Sequence, residues 1–254
     1  MSNTEPTKAN GGTVTPRDSA NWASPVERLK VSTASVGAVP INVAGRHIVG
    51  PLQGFGQMWQ KTYRVRLSGV NTSPEAVIAL WKKHFPDFWP RGNRFYGPLT
   101  GIAPGEVGII NINMGGGIRL STGVMVIYAD DESFTFMTPE GHMFAGWITF
   151  SAMEEDGATV VQVQALIRSN DPIYEMGFRL GFGHKSEDAF WQQTLQNLAR
   201  HIGVLNPSIQ QQMACVDTRM QWSKIGNIRY NAAMHTMLYQ LAAPARWIKG
   251  LFRR

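Results

Sequence analysis

The chain has 254 residues, of which 43% are hydrophobic, so it can bury one sizeable core, and this length favours one domain with appendages. Its single cysteine, Cys215, excludes an internal disulfide and a cysteine-rich zinc site. The sequence starts without a secretory signal pattern and has no run of about 18 apolar residues, which predicts a cytoplasmic protein that does not span a membrane.

The net charge of +6 is concentrated near the C-terminal end. Residues 61–203 contain twelve basic and fourteen acidic residues, whereas residues 204–254 contain seven basic residues and one acidic residue. The last segment therefore has a positive charge equal to that of the whole chain. Its basic residues are sparse and lie largely on one short stretch, which argues against nucleic acid as the partner.

The first regular elements follow an irregular N-terminal segment. Lys61–Val70 alternates apolar and polar side chains, which predicts a strand with one buried face. Ser73 is then predicted to be the N-cap of a helix, with Pro74 at the first helical position. Pro86 and Pro90 end this helix.

From Arg94 onward, short β-rich runs alternate with acidic or Gly-containing turns, a texture typical of an antiparallel meander. Residues 170–185 are predicted to be a loop with one short helical turn, and Ser186 is predicted to cap a second helix that ends at Gly203. Four apolar residues of that helix form one stripe: Trp191, Leu195, Leu198 and Ile202. Such a stripe must be buried against another layer.

This order of elements resembles the helix-grip fold of the START-like superfamily, which includes polyketide cyclases, plant pathogenesis-related allergens and lipid-transfer domains. The stretch TPEGHMFAGWITF, residues 138–150, is similar to a Thr-x-x-Gly-His turn followed by a Gly-containing strand in an uncharacterised bacterial family of that superfamily. Met143 and Phe144 stand where that family has more polar residues.

The resemblance implies an α+β fold in which a curved antiparallel sheet of about six or seven strands wraps around a long C-terminal helix. The chain is predicted to consist of three segments. Residues 1–56 are predicted to be mostly disordered or irregular, residues 57–203 to form the helix-grip domain, and residues 204–254 to form a basic amphipathic helical extension.

The space between the long helix and the sheet is the predicted ligand site. Apolar side chains are expected to line it: Phe134, Phe136, Met137, Phe144, Trp147, Phe150, Trp191 and Leu195. The alternative for each of them is a filled core. Both faces of the strand around Trp147 are apolar, so an N-terminal or C-terminal appendage is expected to cover the face that the helix leaves free.

His142, in the Pro-Glu-Gly-His turn, is the candidate general acid or base, because an imidazole titrates near neutral pH. Glu140 is the candidate group to orient it. The alternative is a solvent-exposed hairpin tip in which Pro139 and Gly141 only make the turn.

The end of the chain, ARWIKGLFRR, interleaves apolar side chains with cations, as an interfacial anchor does. The predicted membrane contacts are Arg246, Trp247, Lys249, Leu251, Phe252, Arg253 and Arg254. The alternative is that this segment packs on the domain with its cations at the surface.

The predicted function is binding of a hydrophobic small molecule or lipid, with association at the inner face of the membrane through the C-terminal segment. The alternative is a cyclase, dehydratase or hydrolase that uses the same cavity with His142 as acid or base. No cofactor or metal is predicted, since the six histidines show no ligand spacing. The sequence makes no prediction of the oligomeric state.

Overall fold

The computed structural model describes residues 19–31, 37–98, 100–113 and 119–243, apart from the side chain of Phe182. Within these ranges one antiparallel sheet has nine strands. They are β1 (Ile48–Val49), β2 (Met58–Arg66), β3 (Arg94–Tyr96), β4 (Val107–Asn113), β5 (Arg119–Ala129), β6 (Ser133–Pro139), β7 (Phe144–Glu155), β8 (Ala158–Ser169) and β9 (Ile209–Asp217). The helices are α1 (Pro74–His84), α2 (Pro172–Arg179), α3 (Phe182–Ile202) and α4 (Ala232–Leu241).

The sheet follows the predicted meander from β3 to β8, after which β2 pairs with β8 and β9 pairs with β2. The prediction of an α+β fold built on a large antiparallel sheet is confirmed. β9 lies in residues 204–254, a segment whose start was expected to be helical. Its register with β2, from Val65 opposite Ile209 to Trp59 opposite Cys215, covers an edge that β2 would otherwise leave open.

The first helix forms as its sequence predicts. The Ser73 hydroxyl accepts a hydrogen bond from the backbone N–H of Ala76, and Pro74 occupies the first helical position. Val77, Ile78 and Trp81 are buried on its inner face.

The region before the long helix differs from the prediction. Residues 170–185 contain α2, whose N-cap is Asp171: its carboxylate accepts hydrogen bonds from the backbone N–H groups of Ile173 and Tyr174 at 2.8 and 3.1 Å. α3 begins at Phe182 after Gly181, so the prediction that Ser186 caps it was wrong. Gly203 ends α3 in a left-handed conformation, as predicted, with a φ of 111°.

α3 lies against the concave inner face of the sheet and buries Leu195, Leu198 and Ala199 there. Five aromatic side chains of α1, the adjoining turn and the strands form the centre of the core, and we call them the ring core: Trp81, Phe85, Phe134, Phe136 and Phe150. Phe85 contacts Phe134, Phe136 and Phe150 edge-on, with ring centroids 5.2–5.6 Å apart.

Segments from both ends of the chain cover part of the convex outer face, at β5. Leu29 and Val43 pack on Met125 in a second, smaller core. The Asn42 amide donates hydrogen bonds to the Ser121 carbonyl and to the Thr236 hydroxyl at 2.8 and 3.1 Å, so it fixes α4 on β5. In the described ranges, no helix combines the length and apolarity that crossing a membrane requires.

Candidate functional site

A small cleft opens at the end of the grip where α2 meets the start of α3. We call this end the α2 end. The cleft is lined by Trp59, Phe144, Ile167, Arg168, Ser169, Glu175, Phe178 and His184. Its volume is about 10 Å³, which is room for about one water molecule.

Strand register and helix packing bring the apolar walls of the cleft together. Trp59 on β2 lies opposite Ile167 on β8, so both side chains project from the inner face. The ring of Phe178 on α2 lies 4.8 Å from that of Phe144 and 5.2 Å from that of His184. The His184 ring meets Trp59 edge-on at 4.8 Å.

The polar wall of the cleft centres on Glu175. Its carboxylate accepts hydrogen bonds from the Ser169 hydroxyl and, at 2.9 Å, from Nε of Arg179. A Cβ atom at Gly56 would lie 2.0 Å from Oε2 of Glu175, so only glycine fits beside this carboxylate. His184 Nδ1 is buried without a hydrogen-bond partner among the described residues.

A buried group of charges lies next to the cleft, between β2 and α3. We call Lys61, Tyr63, Glu187 and Asp188 the ion cluster. The Lys61 side chain is 0% exposed, and its Nζ donates to Glu187 Oε2 and to Asp188 Oδ1, both at 2.8 Å. The Tyr63 hydroxyl donates to the same Asp188 oxygen at 2.6 Å.

Burial and the hydrogen bonds of Lys61 and Tyr63 act in opposite directions on the pKa values of the ion cluster. Desolvation raises the pKa of Glu187 to about 7, although Lys61 opposes the shift. Burial also acts against ionisation of Asp188, but the hydrogen bonds from Lys61 and Tyr63 outweigh it and hold the Asp188 pKa below its ordinary value. Burial, and then the positive charge of Lys61, lower the pKa of His184. Glu187 of the ion cluster is therefore a carboxyl group whose pKa lies near neutral pH.

The structure separates the two residues of the predicted acid-base pair. His142 is only 7% exposed and not a solvated tip; its Nδ1 accepts a hydrogen bond from the backbone N–H of Phe144 at 3.0 Å. Burial lowers the His142 pKa to about 4, so the ring is neutral at pH 7. The Glu140 carboxylate instead accepts from the backbone N–H of His47 at 3.2 Å.

The predicted ligand-lining residues lie in three places. Phe134, Phe136 and Phe150 belong to the ring core, and Trp191 and Leu195 of α3 pack against that cluster. Phe144 lines the cleft. Met137 and Trp147 are opposite each other across β6 and β7 on the outer face, where both approach Gly50.

The remaining predicted contacts cannot be placed in the fold. Arg246, Trp247, Lys249, Leu251, Phe252, Arg253 and Arg254 all lie outside the described residues. Among the residues that the structure describes, no group of three or more His, Cys, Asp or Glu side chains could hold a metal ion.

Sequence reasoning missed the ion cluster, although two signals for it were present. The alternation of the opening strand, continued back from Tyr63, places Lys61 and Trp59 on the buried face. The apolar stripe of α3, continued back by four residues from Trp191, reaches Glu187. A lysine and a glutamate on facing buried stripes predict an ion pair between helix and sheet.

No protein-family model matches the chain, and no curated protein matches it significantly. Solved structures resemble it. A solution structure of KanY protein is 14% identical, covering 58% of this chain and 98% of that one with a TM-score of 0.45. The di-domain ARO/CYC StfQ from the steffimycin biosynthetic pathway is 10% identical, covering 57% of this chain and 50% of its own length with a TM-score of 0.44. The major latex-like protein 151 of Panax ginseng is 15% identical, and the match covers 59% of this chain and 100% of that one with a TM-score of 0.40.

At such identities and TM-scores these likenesses give no argument about function. The curved sheet, the position of α3 on its inner face and the strand order are properties of this chain itself. This arrangement is a helix-grip fold, as the order of elements in the sequence predicted.

Proposed function

We propose that the protein binds a small hydrophobic molecule that has a polar group, at the α2 end of its helix grip. One observation supports this proposal above the others: aromatic walls and a buried polar wall meet in the same cleft. Trp59, Phe144 and Phe178 would contact the apolar body of the ligand, and Ser169, Glu175 and His184 would bind its polar group.

A ligand larger than water requires the cleft to widen. α2 is the wall best placed to move, because it has only eight residues and is joined to α3 through Gly181, whose φ is 83°. The ring core, by contrast, packs Phe134 and Phe150 at 0% exposure. Ligand entry between these rings would cost more free energy than displacement of α2.

Binding can be tested with two matched tryptophan variants. Trp59→Leu removes an inner wall of the cleft, and Trp147→Leu makes the same change on the outer face of the same sheet. With the uncharged probe N-phenyl-1-naphthylamine, we expect Trp59→Leu to weaken binding about tenfold and Trp147→Leu to leave it within about twofold. Equal losses would place the ligand elsewhere. Native mass spectrometry of protein purified from its own cells would identify a retained ligand.

We also propose that the C-terminal segment associates with an anionic membrane surface. The solvent face of α4 supports this: Met234, Met237, Leu238 and Leu241 are 41–71% exposed and lie opposite buried Ala232 and Thr236. The thirteen residues after α4 contain four basic residues and no acidic one. Replacing Trp247 and Phe252 with serine should reduce sedimentation with phosphatidylserine vesicles; an unchanged bound fraction would contradict this role.

An enzyme that uses the cavity with His142 as acid or base remains the alternative prediction. Phe144 connects His142 to the cleft. Its backbone N–H donates a hydrogen bond to the His142 ring, and the Phe144 side chain lines the cleft. Once a bound molecule is known, His142→Asn should lower turnover by about 100-fold if the ring takes part in proton transfer. A carrier would keep its affinity and show no turnover in either form.

A further inference from the structure

The wall helix of the cleft has a second, unused face. Tyr174, Glu175 and Phe178 of α2 point into the protein and are buried. On the opposite side, Ile173, Met176 and Leu180 are 39%, 60% and 65% exposed. Because these three residues fall at helical spacing, α2 presents an apolar stripe to solvent directly behind the wall of the ligand site.

A neighbouring element adds a similar stripe. The 3-10 helix Trp222–Tyr230 contacts α2 and exposes Trp222, Ile225 and Ile228 at 63%, 51% and 39%. Spacing of three places these residues on one edge of a 3-10 helix. The Asn227 amide, on a different edge, donates to the carbonyl of Asn170 at 2.9 Å and attaches this helix beside the start of α2.

The exposed charges around the two stripes are positive. The side chains of Arg179 and Arg219 are 53% and 87% exposed, and Arg229 is exposed as well. The acidic groups nearby are buried or paired: Glu175 with Arg179 and Ser169, and Asp217 with Arg168 and Arg219. An apolar surface with a cationic rim matches the boundary of an anionic bilayer.

We infer that α2 and the Trp222–Tyr230 helix together form a surface that docks on an anionic lipid membrane and brings the cleft to the bilayer. The link to ligand exchange rests on the proposed ligand site, whereas docking itself does not. A second copy of the chain fits the surface less well, because a twofold contact would bring the same arginines face to face. This surface is separate from the proposed contacts at residues 246–254.

Two leucine variants of the full-length chain test the inference. Leu180→Glu changes the α2 stripe, while Leu205→Glu makes the same change at an 88% exposed leucine after the far end of α3. The net charges of the two variants are equal, so non-specific electrostatic attraction is matched. With vesicles containing 30% phosphatidylserine, we expect Leu180→Glu to weaken partitioning at least fivefold more than Leu205→Glu does, and Ile225→Glu to behave like Leu180→Glu.

Equal losses in Leu180→Glu and Leu205→Glu would overturn the inference, as would the absence of vesicle binding by the unchanged chain. A dimer in solution that Leu180→Glu dissociates would assign the surface to a second copy and also overturn it. Binding of N-phenyl-1-naphthylamine without vesicles is measured on the same proteins. If the unchanged chain binds the vesicles but not the probe, the ligand site alone is contradicted. If the unchanged chain binds the probe but not the vesicles, or if Leu180→Glu still binds the vesicles as the unchanged chain does, the docking surface alone is contradicted.

Discussion

The two ends of the space between α3 and the sheet are built from opposite chemistry. At one end, the ring core of Trp81 and four phenylalanines fills the volume, with centroids of neighbouring rings 4.7–6.5 Å apart. At the α2 end, Lys61 and two carboxylates occupy the equivalent layer beside the cleft. Only β7 contributes side chains to both, with Phe150 in the ring core and Phe144 in the cleft. The helices differ, since α1 supplies Trp81 to the ring core and α3 supplies both carboxylates of the ion cluster.

This contrast separates what holds the fold together from what is available for function. Packed rings stabilise the native state through burial and edge-to-face contacts. A buried ion pair adds little to stability, since the desolvation of its members offsets most of their attraction. The ion cluster is therefore better explained by a role in the adjoining site than by a need for stability, and each end can be tested separately.

The largest expected effect is at the filled end. Phe85→Ala removes a 0% exposed ring that contacts at least three others, so we expect a loss of about 4 kcal/mol in the free energy of unfolding. The matched variant Phe144→Ala, at the half-buried wall of the cleft, should cost clearly less. Urea unfolding of both variants measures the difference, and similar losses would mean that the two ends are packed alike.

A comparable loss is expected when the ion cluster loses its cation. Lys61→Met leaves Glu187 buried without a partner and Asp188 without its cation, although the Tyr63 hydroxyl still donates to Asp188, and should cost about 3–5 kcal/mol at pH 8. The double variant Lys61→Met with Glu187→Met removes one of the uncompensated charges and should recover much of that stability. If the double variant is no more stable than the single one, the cost does not come from unpaired carboxylate.

The pH dependence of stability should show Glu187 directly. Its folded pKa, about 7, lies above its ordinary value of 4.5, so the native state favours the protonated form. The contribution of Glu187 to the free energy of unfolding is fully present below pH 4.5. It is lost as the pH rises to 7, which lowers the free energy of unfolding by about 3 kcal/mol. Glu187→Gln should remove this fall, as measured by urea unfolding at several pH values. A difference between variant and wild type that does not change with pH would refute the shift.

His142 should act in the opposite direction, because its folded pKa of about 4 lies below the ordinary 6.5. The contribution of His142 to the free energy of unfolding is fully present above pH 6.5. It is lost as the pH falls to 4, which lowers the free energy of unfolding by about 3 kcal/mol. The two windows overlap, so the groups partly compensate each other in the wild type. Relative to wild type, His142→Asn should lose stability as the pH rises from 4.5 to 7, whereas Glu187→Gln should gain it. If the stabilities of His142→Asn and Glu187→Gln, relative to wild type, change with pH in the same direction, the two groups do not compensate each other.

The sequence predicted the elements in which local pattern and tertiary environment agree. The meander alternates in period two, and the stripe of α3 ends at Gly203 as predicted. α2 was missed because Gly177 and Gly181 lower helix propensity, and its stability comes from the Asp171 cap and buried Phe178. β9 was missed because Ile209–Asp217 is rich in glutamine and has no strand pattern of its own. It forms a strand because it pairs with β2.

The site was predictable only in part, because the burial and pairing of its polar residues depend on tertiary contacts. Phe144 follows from the apolar pattern of β7 and does line the cleft. Lys61 was assigned no role, because a single sequence does not show that a charged residue will be paired after burial. His142 was singled out for its chemistry, but its burial depends on chain segments far away in sequence, such as Tyr230, whose carbonyl lies within 1.9 Å of the position that a Cβ of Gly141 would occupy.

The smallest effect expected here concerns two serines that were both predicted to be N-caps. Ser73 accepts a hydrogen bond from Ala76 at the start of α1, so Ser73→Ala should cost about 1 kcal/mol in the free energy of unfolding. Ser186 lies inside α3, which begins four residues earlier at Phe182, and its side chain is exposed. Ser186→Ala should therefore stay within about 0.5 kcal/mol of wild type. A loss at Ser186 as large as that at Ser73 would mean that α3 begins at Ser186 in solution, which would detach Gly183 and His184 from the helix and open the α2 end of the grip.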